Sequence, residues 1–233
     1  MVMIRGTDSD NYDGIVPIEH FEKLRTQYGV RFNIIGLEAR MPYAYQQREA
    51  CELAGIDVPF AYKFLYWQTN DLERLREACG FGKPIALDCE YGTNWDPDRI
   101  VTRIHEARDL LLSEGLYWGI YTGSWWWPKT GDTHDFATDR LWHAAYPFGN
   151  GLPPLHYLPT SLDVDYGGWV RATVQQYANN CYEDGPWAFD LNAMEEVVLP
   201  PPPPPPPPYV IYNKIGFSDG TEWYLEVKEP PHE

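Results

Sequence analysis

Two carboxylates stand two residues apart in Asp88-Cys89-Glu90. They follow Pro84-Ile85-Ala86-Leu87, an apolar run with the length of a buried strand. Side chains alternate faces along a strand, so Ala86, Asp88 and Glu90 share one face and Ile85, Leu87 and Cys89 the other. Both acids then project into one small volume from Cα atoms about 7 Å apart. Repulsion couples their ionisation, and one is held protonated towards neutral pH. An acid that gives a proton, beside a carboxylate that stabilises positive charge, is the equipment for cleaving a glycosidic bond.

The elements that must position this pair repeat along the chain. Short apolar runs lie at Met3–Thr7, Val30–Ile35, Val58–Phe64, Ile85–Leu87 and Tyr117–Thr122, a spacing of roughly 30 residues that suits one strand and one crossover helix each. Helical patterns fill the gaps. Ile18, Phe21, Leu24 and Tyr28 form a stripe stopped by Gly29. Gln46 to Leu53 is a second helix closed by Gly55, and Asp71 to Cys79 a third closed by Gly80. Asp98–Ser113 is the fourth: Asp96 caps it, Pro97 takes the first turn, and Ile100, Val101, Ile104, Ala107 and Leu111 make the stripe. Strand–helix alternation implies a parallel sheet. After Thr122 the pattern becomes strands alone, at Leu141–Tyr146, Arg171–Tyr177 and Ala188–Leu191. The expected fold class is α/β: an irregular TIM-like barrel of five β/α units plus three further strands, eight in all, with a short C-terminal appendage.

Function in such barrels collects at the C-terminal strand ends. Asp8 falls at the end of strand one, Asp88 and Glu90 at the end of strand four, and Asp190 at the end of strand eight. Strands one and eight are neighbours in a closed barrel, so all four acids are expected at one mouth. Aromatic residues also end strands: Tyr62 and Phe64, Tyr121, Trp142 and Tyr146, and Tyr177. Trp125-Trp126-Trp127 follows strand five, and three adjacent indoles between Gly123 and Pro128 cannot all be buried; at least one is expected to line a groove.

Composition narrows the partners. The chain has 233 residues and a net charge of −16, with 18 Lys and Arg against 34 Asp and Glu. No basic cluster suits a nucleic acid backbone, and an anionic membrane surface is disfavoured. Ten Trp and seventeen Tyr exceed what a core needs, and pyranose C–H faces stack well on such rings. The four Cys form no C-x-x-C pair and the six His no zinc-ligand spacing, so no metal and no cofactor are expected. The N-terminus has no stretch of signal-peptide length, and no window approaches the ~20 apolar residues of a membrane span.

The ordered motifs resemble those of the family 25 glycoside hydrolases, the muramidase-type lysozymes. Gly6-Thr7-Asp8-Ser9-Asp10-Asn11-Tyr12-Asp13-Gly14 is similar to their opening G-x-D-x-S-x-[WY]-Q-G. Ala86-Leu87-Asp88-Cys89-Glu90 resembles their strand-four D-x-E, Gly119-Ile120-Tyr121-Thr122 their G-[IV]-Y-[TS], and Leu141–Tyr146 their L-W-x-A-x-Y. Gln176-Tyr177 and Phe189-Asp190-Leu191-Asn192 are similar to W-Q-Y and V-D-x-N. The chain departs from the pattern at Asp10 and Asp13, at Glu38-Ala39-Arg40 where Glu-Gly is frequent, at Lys63 within the usual Tyr-His-Phe, and at Gln175 in place of Trp.

The resemblance implies hydrolysis of the β-1,4 bond between N-acetylmuramic acid and N-acetylglucosamine in peptidoglycan. It casts Glu90 as general acid and Asp88 as the group that holds or charge-stabilises the substrate N-acetyl group in a substrate-assisted route. Asp8 and Asp190 would set the pKa and orient the sugar. Tyr62, Phe64, Tyr121, Trp125, Trp142, Tyr146 and Gln176 are expected to line the groove. Action would be on the cell wall outside the cytoplasm, reached through lysis machinery or carriage in a virion. Two rivals use the same residues: a metal-dependent hydrolase with the acids as ligands, and a non-catalytic carbohydrate-binding or virion structural barrel.

The expected organisation is a barrel over 1–199, a linker over 200–208 and a tail over 209–233. The nine prolines Pro200 to Pro208 make a stiff polyproline II spacer about 28 Å long. The tail alternates as Val210-Ile211-Tyr212 and Trp223-Tyr224-Leu225-Glu226-Val227 about Ser218-Asp219-Gly220, the pattern of a hairpin. A lone hairpin is marginal in water, so it would dock, self-associate, pair with a virion partner or stay disordered.

Overall fold

Eight strands close in chain order into a barrel whose mouth gathers the acids. The computed structural model describes residues 2–10, 14–38, 41–148, 153–154, 157–182, 188–196, 212–216 and 222–226. The strands are β1 (Met3–Ser9), β2 (Val30–Gly36), β3 (Ala61–Phe64), β4 (Ile85–Asp88), β5 (Tyr117–Gly123), β6 (Leu141–Ala144), β7 (Val174–Tyr182) and β8 (Ala188–Glu195). Strands β1 to β7 run parallel to one another. Strand β8 runs antiparallel to both its neighbours.

That reversal corrects the placement of Asp190. It lies near the start of β8, not at its C-terminal end. Because β8 points the other way, its first residues reach the rim where the other strands end, and Asp190 pairs with Asp8 in register. The reason is chain length. A parallel return needs a dozen or more residues, and only 183–187 separate β7 from β8.

Four helices pack outside β1 to β5. α1 (Ile18–Tyr28) buries Phe21 and Leu24 and ends at Gly29, whose φ of 68° is left-handed. α2 (Met41–Leu53) starts five residues before the expected Gln46. Pro42 suits the first turn, and the polar Gln47, absent from any apolar stripe, is buried because it donates to the Asp10 and Gly14 carbonyls. α3 (Asp71–Cys79) has the expected limits, though Gly80 is right-handed. α4 (Pro97–Ser113) starts where Asp96 accepts a hydrogen bond from the Arg99 N–H, 3.0 Å away, and buries Ile100, Ile104, Ala107 and Leu111.

The alternation along β4 sorts its residues between two apolar layers. Ile85, Leu87 and Cys89 join the layer between strands and helices. Ala86 joins the barrel interior with Phe32, Ile34, Phe60, Trp118 and Trp142. Phe60 and Trp118 stack there with centroids 3.9 Å apart and form a solid floor under the mouth.

The chain divides into two compact units, Met1–Glu196 and Val197–Glu233. The second contains β9 (Tyr212–Gly216) and β10 (Glu222–Glu226), an antiparallel pair with Tyr212 opposite Glu226. The proline run, the Ser218-Asp219-Gly220 turn and the motif residues Asn11, Tyr12, Asp13, Ala39 and Arg40 lie outside the described residues. No helix among the described residues is long and apolar enough to cross a membrane.

Candidate active site

A cleft of about 360 Å³ opens at the barrel mouth. Asp8, Asp88, Glu90 and Asp190 all line it. So do Tyr62, Phe64, Tyr121, Trp125, Trp142, Tyr146 and Gln176. Register explains the gathering: Phe64, Asp88 and Tyr121 sit side by side on β3, β4 and β5. Tyr177 does not join them. Its ring is buried in the outer layer, where its hydroxyl accepts from Arg5 Nε at 3.2 Å. Strand alternation turns Tyr177 away from the face of Gln176, and the bulges in β7 then keep Ala178 outward as well and return Asn179 to the cleft.

Glu90 lies one residue past Cys89, beyond the end of β4, yet its backbone is clamped. Thr122 Oγ1 donates to the Cys89 carbonyl at 3.0 Å. The indole N–H groups of Trp67 and Trp126 both donate to the Tyr91 carbonyl, at 3.0 and 2.9 Å. Trp126 and Trp127 are fully buried, whereas Trp125 is 57 % exposed and faces the cleft. Gly123 permits this fold-back, because a Cβ there would stand 2.3 Å from Trp125 Nε1.

Burial pushes the Glu90 carboxyl up from its ordinary range, and the neighbouring Tyr121 hydroxyl draws it partly back. Burial also raises Asp88 strongly, with Glu90, Glu38 and Asp8 adding charge repulsion. Asp88 Oδ1 is buried without a hydrogen-bond partner among the described residues. Such an atom is costly unless it carries a proton or meets a donor.

Asp8 is raised by burial and then by Asp190, against hydrogen bonds from Asn192 and Gln176. Gln176 is the hub of this half of the cleft. Its Nε2 donates to Asp8 Oδ1 at 3.0 Å and to Asp190 Oδ2 at 2.9 Å. Its Oε1 accepts from the Tyr121 and Tyr146 hydroxyls at 2.7 and 2.5 Å. One amide therefore ties two acids to two tyrosines. Gln176→Ala is expected to lower the unfolding free energy at pH 7 by about 1–3 kcal/mol, read from the urea midpoint. An unchanged midpoint would contradict the hub.

By sequence, the chain matches no family model and none of the curated proteins. By structure it is similar to the spore cortex lytic enzyme SleM of Clostridium perfringens, at 18 % identity and TM-score 0.60, covering 84 % of this chain and 68 % of that one. It is also similar to GHIP, a glycosyl hydrolase 25 of Streptococcus pneumoniae, at 16 % identity and TM-score 0.58, covering 83 % and 87 %. The barrel is a family 25 glycosyl hydrolase fold. The modular autolysin LytC of Streptococcus pneumoniae matches at 17 % identity and TM-score 0.58, over 83 % of this chain but 47 % of LytC. The chain thus spans about half of LytC.

Glu38 accommodates the departure at Lys63. Lys63 Nζ stands 3.1 Å from Glu38 Oε2, and both side chains are buried. Lys63 also donates to the Leu37 and Glu38 carbonyls, while Glu38 accepts from the Phe64 N–H and the Tyr66 hydroxyl, each at 2.8 Å. A buried ion pair with its remaining groups satisfied is tolerated.

Three cleft residues were not among the expected groove residues. Asp10 and Asn179 line the cleft. Asn192 lies beneath it, donating to Asp8 Oδ1 at 2.5 Å and accepting from Trp142 Nε1 at 2.8 Å. Asp10 and Asn192 each stand two residues from a candidate acid, so strand alternation could have found them. Asn179 depends on the bulges and left no such signal.

Proposed function

We propose that the chain is a peptidoglycan hydrolase that cuts the β-1,4 bond between N-acetylmuramic acid and N-acetylglucosamine. The observation that carries this is the grouping of Asp8, Asp88, Glu90 and Asp190 around one cleft with aromatic walls. Glu90 acts as general acid, because burial keeps its proton above the ordinary carboxylate range. Asp88, which lines the cleft, offers its carboxylate to the N–H of the substrate's acetamido group. So oriented, the acetamido oxygen attacks the anomeric carbon as the glycosidic bond breaks, and Glu90 passes its proton to the leaving oxygen. Water then opens the cyclic intermediate and returns a proton to Glu90. The held pair Asp8 and Asp190 faces the positive charge that develops on the sugar.

The neighbours' descriptions agree with this reading: a spore cortex lytic enzyme, and an autolysin solved with a synthetic peptidoglycan ligand. The direct test is release of reducing sugar ends from purified peptidoglycan. Binding without release would leave a non-catalytic wall-binding barrel. Activity should be the same with and without EDTA, since in this reading the proton of Glu90 and the carboxylate of Asp88 do the work; loss of activity on chelation would point to the metal-dependent rival. Trp125→Ala tests the sugar-stacking wall. The ring is exposed, so stability should change by less than about 0.5 kcal/mol, while KM for glycan rises severalfold. An unchanged KM would remove Trp125 from the binding surface.

A further inference from the structure

A second pocket, of about 520 Å³, lies beside the acid cleft, between the ends of β2 and β3 and helix α3. A row of rings divides the two. Phe64 lines the acid cleft, Tyr66 lines the second pocket, and their centroids are 5.7 Å apart. Tyr91 meets Tyr66 edge-on at 5.0 Å. The buried Glu38–Lys63 pair forms the floor and holds the Tyr66 hydroxyl, so these charges are spent on each other.

Two other charges in the pocket are not. The Arg74 guanidinium lies over the Tyr66 ring, 5.4 Å from its centroid, and pairs with no carboxylate among the described residues. Glu77, one turn further along α3, likewise lines the pocket and pairs with no cation among them. In a chain with 34 acidic and 18 basic residues, an arginine backed by an aromatic face and left without a carboxylate is set up to receive one. A ligand suited to both charges carries a carboxylate and an amino group a few bonds apart, as a short peptide does.

We propose that this pocket holds the peptide attached to the sugar cleaved in the acid cleft, with Arg74 taking a peptide carboxylate and Glu77 an amino group. The proposal rests on the hydrolase reading, since N-acetylmuramic acid carries that peptide on its lactyl group. The two pockets are adjacent, since Phe64 of one and Tyr66 of the other have ring centroids 5.7 Å apart, and each extended residue of a peptide advances about 3.5 Å. The pocket would then make the enzyme prefer glycan that still bears its stem peptides.

The test compares turnover on peptidoglycan glycan with and without its stems, the latter prepared by amidase digestion. The ratio of the two kcat/KM values is the readout. Arg74→Gln keeps the aliphatic stem over Tyr66 and removes the charge. It should lower the ratio about tenfold, a loss expected for one charge-assisted contact. Glu77→Gln should lower it for stems with a free diamino-acid amine. A wild-type ratio near one, or a ratio unmoved by Arg74→Gln, overturns the proposal. A synthetic stem tetrapeptide titrated into the full chain by NMR gives a readout without turnover. Binding lost in Arg74→Gln supports the pocket even if wild-type protein cuts neither glycan, which would sink only the hydrolase reading. Absence of tetrapeptide binding to the wild type counts against the pocket whatever the turnover.

Discussion

Replacing Glu90 by Gln is expected to lower release of reducing ends from peptidoglycan by about 10²–10⁴-fold, the range for loss of a general acid. Glutamine keeps the shape and the neighbouring Tyr121 contact but has no proton to give. The fold should survive, because Glu90 is only partly buried and lies past the end of β4. Its backbone position is secured by Thr122, Trp67 and Trp126 rather than by its own carboxyl. The melting temperature should therefore stay near that of the wild type while turnover collapses. The pH profile gives an independent check. Burial raises the Glu90 pKa, so activity should persist above the ordinary carboxylate range and fall as the acid loses its proton. A Glu90→Gln protein within tenfold of wild-type activity would remove Glu90 as the acid.

Asp88→Asn should separate stability from function. A carboxyl with a raised pKa binds its proton more tightly in the folded than in the unfolded chain. Its contribution to stability is complete below the unfolded value, about 3.9 for Asp, and is lost as pH rises through the folded value. At neutral pH the wild type thus bears the cost of a buried acid crowded by Glu90, Glu38 and Asp8. Asparagine has no charge to bury, so the variant should be more stable at pH 7 by about 1–2 kcal/mol. That corresponds to a rise in Tm of about 2–4 °C per kcal/mol. The advantage should shrink as pH falls from the folded value towards about 3.9 and vanish below it, where the wild-type acid is protonated in both states. Cleavage should fall by at least about 10²-fold, since an amide lacks the negative charge that steadies the attacking acetamido group. A lower Tm at pH 7, or a difference that does not vary with pH, would show that Asp88 is not held under this strain.

Much of the fold was legible because it depends on local pattern. Helical stripes such as Ile100, Ile104, Ala107 and Leu111, and the period of two through Ala86, Asp88 and Glu90, follow from backbone geometry alone. What was hidden depends on pairing between distant segments. The reversal of β8 follows from a short connection, and the bulges that keep Ala178 out and bring Asn179 in exist only once β7 meets β8. Lys63 stands out as an odd residue until Glu38 is seen opposite it, 25 residues away in the chain. Gln47 opens no apolar stripe, because it is buried for its hydrogen bonds. The acids were found through spacing; the amides that hold them, Gln176 and Asn192, acquire their roles only from the closed barrel.

The most direct test is mass analysis of the fragments released from purified peptidoglycan, after borohydride reduction has marked each new reducing end. The account predicts that the marked sugar is N-acetylmuramic acid throughout, in wild-type digests and not in those of Glu90→Gln. Marked N-acetylglucosamine, or fragments cut only in their peptides, would contradict it.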